Sequence, residues 1–157
     1  MPETYLTRAG YQKLQEDLKD LRKRKQVLSV EIGEAMEKGD LRENAEYHSA
    51  KERLGEVMSR IGRIQEQLTS ARLIDELQIK SDQVQIGVKV TLQEVDSSEE
   101  YVWTLVGQPE ADPTSGRISV HAPLAQGLLG HKVGEEVKVE LPAGEKTFKI
   151  LKTERAI

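Results

Sequence analysis

Apolar residues along the chain follow two different rhythms, and the change falls near residue 77. In the first half Tyr11, Leu14, Leu18, Leu21, Leu28, Ile32 and Ala35 recur at spacings of three and four, with Lys25 at the one seam position that lacks an apolar residue. A second stripe follows in Tyr47, Ala50, Leu54, Val57, Ile61, Ile64, Leu68 and Ala71. Lys38-Gly39-Asp40-Leu41 lies between them and is the only turn signal in the region, so the pattern predicts two long helices folded into an antiparallel hairpin. Leu28 should then face about Leu54, and Leu14 about Leu68. Thr7 is placed to cap the first helix, which should run from about residue 11 to 37.

After residue 77 alternation replaces the heptad. Val88, Val90 and Leu92 alternate with polar residues, and Tyr101 to Val106 forms a second strand reached through Asp96-Ser97-Ser98. Residues 137–141 and 147–151 flank Pro142-Ala143-Gly144-Glu145, the pattern of a hairpin, and Leu124 to Leu129 between Pro123 and Gly130 suggests one short helix. The fold class expected is α+β, with a coiled-coil hairpin over residues 1–77 and a small, mostly antiparallel sheet over 78–157.

Composition narrows the function. Over 157 residues the net charge is −4 from 23 basic and 27 acidic side chains, which excludes a protein that coats nucleic acid by bulk attraction. Cysteine is absent, so disulfides, thiol nucleophiles and thiolate zinc sites are excluded. The start MPETYLTRAG has no signal-peptide pattern and no apolar run approaches a membrane span, so the expectation is a cytoplasmic protein without membrane contact. Charge is sorted along the hairpin. Glu31, Glu34, Glu37, Asp40, Glu43 and Glu46 gather around the turn, while Lys19, Arg22, Lys23, Arg24 and Lys25, with Arg60 and Arg63 at about the same height, form a basic cluster lower down.

The turn Gly39-Asp40-Leu41-Arg42-Glu43-Asn44-Ala45-Glu46-Tyr47 supports two readings. Gly39 could close the first helix while Asp40 and Glu43 form a capping box for the second. Alternatively, Asp40 and Glu43 present two carboxylates from an exposed tip, too few to hold magnesium alone but enough to complete a site inside another enzyme. No nucleophile, histidine cluster or phosphate-binding glycine loop supports catalysis by the chain itself.

The segments YLTRAGYQKLQEDL, GDLRENAEYHSAKE and ISVHAPLAQGLLGHKVGEEVKVELPAGEKTF together resemble the GreA/GreB family of bacterial transcript cleavage factors, over essentially the whole chain. The resemblance implies an FKBP-like second domain and a monomer that enters the secondary channel of bacterial RNA polymerase. There it would stimulate the polymerase's own cleavage of backtracked RNA, without being an enzyme. It implies that Asp40 and Glu43 help hold a magnesium ion shared with the polymerase, no cofactor being bound in isolation. Gly39, Leu41, Asn44 and Tyr47 would shape the tip, and Lys51 and Arg42 would contact the 3′ end of the nascent RNA. Met36 stands where the family pattern has an arginine, which implies weaker RNA contact there. Ser119, His121, Ala122 and Pro123 would dock on the polymerase. Two alternatives are a factor that occupies the same channel and inhibits, and an FKBP-like prolyl isomerase; the latter is disfavoured because the second half holds few aromatics.

Overall fold

The computed structural model describes residues 3–39 and 44–157. Within them Tyr11–Ser70 form one compact unit, and the residues up to Gly10 join Ala71–Ile157 in a second.

The first unit is built on two helices, α1 (Arg8–Glu37) and α2 (Ala45–Thr69). At 1.5 Å per residue, the 30 residues of α1 extend about 45 Å. Its start is the one Thr7 marks: the Thr7 Oγ1 accepts from the Gly10 N–H at 3.0 Å, satisfying one of the donors a helix leaves open at its first turn. Every apolar residue of both stripes is buried or half-buried, with Leu28, Ala35 and Ala50 almost fully enclosed, whereas Lys25 is exposed. Glu31 meets Arg53 at 3.8 Å and Lys38 meets Glu46 at 3.2 Å. These contacts set an antiparallel register within a turn of the Leu28 and Leu54 pairing. The second stripe ends earlier than its spacing suggests. Ser70 closes α2 by donating its N–H to the Glu66 carbonyl, and Ala71 turns into a strand.

That strand, β2 (Ala71–Leu73), pairs in parallel with β1 (Thr4–Leu6), in register Thr4 to Ala71, Tyr5 to Arg72 and Leu6 to Leu73. A five-stranded sheet follows from β3 (Val88–Glu94), β4 (Glu100–Val106), β5 (Arg117–Ser119), β6 (Glu136–Leu141) and β7 (Gly144–Arg155), in the order β5-β4-β3-β7-β6. All pairs are antiparallel except β4 with β5, and the β3–β7 ladder shifts register between Thr91 and Leu92, the mark of a bulge that bends a strand. The two hairpins lie where the turn residues placed them. Ser98 adopts φ 61° in the first, and Pro142-Ala143 span the second between the paired Leu141 and Gly144. The short helix α3 (Pro123–Leu128) packs on β6. Alternation in β3 and β6 sends Val90, Leu92, Val137 and Val139 into one core with Leu105, Leu128 and Ile150.

Two close approaches hold the N-terminal strand. A Cβ built on Gly107 would lie 1.7 Å from the Tyr5 carbonyl oxygen, so this backbone contact requires glycine. Glu110, three residues on, accepts from the Thr7 N–H at 2.7 Å and from the Thr7 hydroxyl, placing a carboxylate at the positive end of α1. Asp75 accepts from the Arg8 N–H at 2.7 Å. Gly10 has a reason that helix propensity does not supply: a Cβ there would sit 2.5 Å from the Glu110 carboxyl carbon.

Candidate functional site

At the turn of the hairpin, α1 ends at Glu37 and the Lys38 N–H bends back to the Ala35 carbonyl at 3.2 Å. Gly39 has φ 120°, a region that a Cβ disfavours, in accord with its expected place at the helix exit. Asp40, Leu41, Arg42 and Glu43 lie outside the described residues. The chain is described again from Asn44, and this side chain ties the two helix ends together. Its Oδ1 accepts from the Tyr47 N–H at 3.1 Å, capping α2, and its Nδ2 donates to the Ala35 carbonyl at 2.8 Å. Because α2 begins at Ala45, its N-cap is Asn44, and the capping-box assignment of that position to Asp40 is corrected.

Just below the turn lies an open cleft of about 410 Å³ between the helices. The small residues Ala35 and Ala50 are buried there, and the Glu31–Arg53 and Lys38–Glu46 pairs flank it. Tyr47 is half-buried with its ring edge-on to His48 at 5.4 Å, and the Lys51 ammonium lies 5.9 Å from the Tyr47 ring centre. Lys51, one helical turn beyond Tyr47, is exposed. Met36 is about half exposed, so its side chain is not consumed by packing within the hairpin. Among the described residues no group of three or more His, Asp or Glu could hold a metal ion.

The loop between β5 and α3 brings Ser119, His121, Ala122 and Pro123 together. Ser119 is buried, its Oγ accepts from the His121 N–H at 3.1 Å, and its carbonyl accepts from the Ala122 N–H at 2.9 Å. The Gln126 amide donates to the Val120 carbonyl at 2.7 Å, and Pro123 occupies the first turn of α3, where its missing N–H costs nothing. The groups this loop turns to solvent are therefore His121 and Pro123. Tyr101 and Phe148 meet edge to face at 6.4 Å, and Trp103 packs against the same core, so these rings serve the sheet.

Two groups here were not legible beforehand. The Ala35 carbonyl is a backbone acceptor with no side-chain signature, and Glu110 reaches Thr7 across 103 residues of sequence.

The described residues thus comprise a long two-helix unit and a β-rich unit, the outline of a rod-bearing α+β protein. Two family models cover nearly all of it: "Transcription elongation factor, N-terminal" over residues 4–73, and "Transcription elongation factor, GreA/GreB, C-term" over residues 79–155. The chain belongs to the GreA/GreB family of transcription elongation factors. It is 45% identical over 151 residues to transcription elongation factor GreA of Chloroherpeton thalassium, covering 95% of both chains. It is 43% identical over 156 residues to that of Caulobacter vibrioides, covering 98% of this chain and 99% of the relative. Among solved structures, GreA factor homolog 1 of Thermus thermophilus is 28% identical, with 98% of this chain and 99% of that one covered and a TM-score of 0.46.

Proposed function

We propose that this elongation factor acts from within the secondary channel of bacterial RNA polymerase, where its tip stimulates the polymerase to cleave backtracked RNA. The observation that carries the reading is the pair of hydrogen bonds by which Asn44 donates to the Ala35 carbonyl and accepts from the Tyr47 N–H, tying the end of α1 to the start of α2 on either side of Asp40 and Glu43. With the capping duty on Asn44, α2 does not need the Asp40 carboxylate.

Asp40 and Glu43 would supply two oxygen ligands to a magnesium ion whose other ligands belong to the polymerase, and would orient the water that attacks the phosphodiester. In two-metal phosphoryl transfer one such ion would activate the attacking water and a second would stabilise the leaving oxygen. Leu41 and Tyr47 shape the turn, and Lys51 with Arg42 faces the extruded 3′ end of the RNA. Met36 offers no charge to that RNA, so contact along this face is weaker than an arginine would make it. His121 and Pro123, on a loop held by Ser119 and Ala122, dock on the polymerase. The factor works as a monomer in the cytoplasm and is not itself an enzyme; no helix among the described residues is long and apolar enough to cross a membrane.

The test uses polymerase halted in a backtracked state with end-labelled RNA. Wild type should accelerate release of short 3′ fragments in magnesium, and Asp40→Ala with Glu43→Ala should abolish that acceleration while still competing with wild type for the polymerase. Normal stimulation by the double variant would refute the role of the carboxylates. Channel competition with no stimulation by wild type would indicate an inhibitor.

A further inference from the structure

Residues 21–27 of α1 and 57–63 of α2 contain six cations, Arg22, Lys23, Arg24, Lys25, Arg60 and Arg63, and no carboxylate. The Glu31–Arg53 contact sets these two segments side by side, since Arg24 and Arg60 are each seven residues from that bridge. All six are exposed, and among the described residues none has an ion-pair partner, although Glu31, Glu46 and Glu76 on neighbouring parts of the chain are paired. A face that serves only solubility mixes signs, because like charges packed into about 10 Å of rod repel one another. Lys25 makes the point sharper. It occupies a heptad seam position and is exposed, forgoing the burial an apolar residue would gain there.

The cations are also spread around the rod. Arg22, Lys23 and Arg24 are consecutive in a helix and so span about 200° of α1, while Arg60 and Arg63 share a face of α2. A linear polyanion lying along the rod reaches one side of such a girdle. A wall that surrounds the rod reaches all of it.

We infer that this girdle, about 20 Å below the tip by helical rise, docks against acidic side chains of a protein channel that encloses the hairpin. The inference rests on the channel reading above and adds what holds the shaft once the tip is inserted. Opposite charge facing the cations on both helices, across the outer side of α1 and one face of α2, holds the rod without relying on any one contact, and it raises the rate of entry at low salt.

Two charge-reversal variants of the full chain test it: Arg22→Glu with Lys23→Glu on α1, and Arg60→Glu with Arg63→Glu on α2. Binding of labelled protein to bacterial RNA polymerase is followed from about 50 to about 300 mM potassium chloride, a range over which exposed charges become screened. Each pair should weaken binding about tenfold or more at the lowest salt, with the loss shrinking as salt rises. Thermal melting of both variants should match or exceed wild type, because reversal relieves repulsion; a pair that melts early is replaced by the neutral Gln versions. Unchanged affinity in both pairs overturns the proposal. So does a loss confined to one pair and matched by lost binding of a short single-stranded RNA, which would identify a nucleic-acid contact. Failure of wild type itself to bind the polymerase would instead refute the channel reading.

Discussion

Asn44 donates to the Ala35 carbonyl across the turn of the hairpin at 2.8 Å while it caps α2 through Tyr47. One amide therefore closes two helices, which sets up a test that separates its two halves. Asn44→Asp keeps an acceptor for the Tyr47 N–H but faces the Ala35 carbonyl with an oxygen, and Asn44→Ala loses both bonds. The alanine variant should cost about 1 to 2 kcal/mol in urea unfolding, with the aspartate variant between it and wild type. RNA cleavage assays should rank the three proteins in the same order.

Gly107 permits the N-terminal strand to lie against the backbone ahead of Glu110. Gly107→Ala would place a methyl 1.7 Å from the Tyr5 carbonyl oxygen, so the strand must move. A loss of about 3 kcal/mol is expected on denaturation. Hydrogen exchange should speed up at Tyr5 and Leu6 and much less in β3 and β7.

Glu110 and Gly10 form a coupled pair. Glu110→Ala removes the acceptor for both Thr7 donors and should cost about 1 to 2 kcal/mol. Gly10→Ala should destabilise the wild-type background, where its methyl meets the carboxyl group, yet stabilise the Glu110→Ala background by about 0.5 kcal/mol through helix propensity. A double-mutant cycle checks this sign change, and additive effects would disprove the contact.

Tyr101 donates to Glu99 at 2.7 Å, and that bond is the main reason its phenol is pushed up to about 12. The neutral phenol is favoured in the folded chain, so this contribution to stability is complete below the unfolded tyrosine value near 10 and is lost as pH rises through the folded one. Ultraviolet titration should show a phenolate transition near pH 12 that Tyr101→Phe removes and Glu99→Ala shifts downward.

The Glu135 carboxyl is held below its ordinary value, first by the Lys132 N–H at 2.7 Å and then by His131 at 3.0 Å. For a depressed carboxylate the stabilisation is present above the unfolded value near 4.3 and is lost as pH falls through the folded one. Melting curves of Glu135→Gln should therefore converge on wild type as the solution is acidified, and diverge in favour of wild type at neutral pH.

The seam of the rod was legible because every third or fourth residue had to meet its partner helix; Leu28 and Ala50 are enclosed as their spacing required. The hairpins at Ser98 and Pro142 and the short helix after Pro123 were equally open to reading, since their turn chemistry is local. The pairing of β1 with β2 was not. Three residues carry too little alternation to announce a strand, and their register depends on segments far apart in sequence. At the turn, Asp40 and Asn44 were both competent caps by residue type. The choice fell to Asn44, whose amide also finds the Ala35 carbonyl, a partner that exists only once the helices have folded back. Ser119 shows the opposite limit: its place just before the short helix was legible, but its burial follows from the sheet it closes.

The heptad seam also makes the reach of the rod a stepped quantity. Removing seven residues from each helix would leave the remaining seam in phase and draw the tip back by about 10 Å. Removing one, two, five or six would turn the distal side chains about 100° or more out of phase with the proximal ones, and removing three or four would leave them about 60° or 40° off, to be absorbed by a local change of winding. Among hairpins of this design, length therefore varies with least disturbance in increments of two helical turns, about 10 Å each.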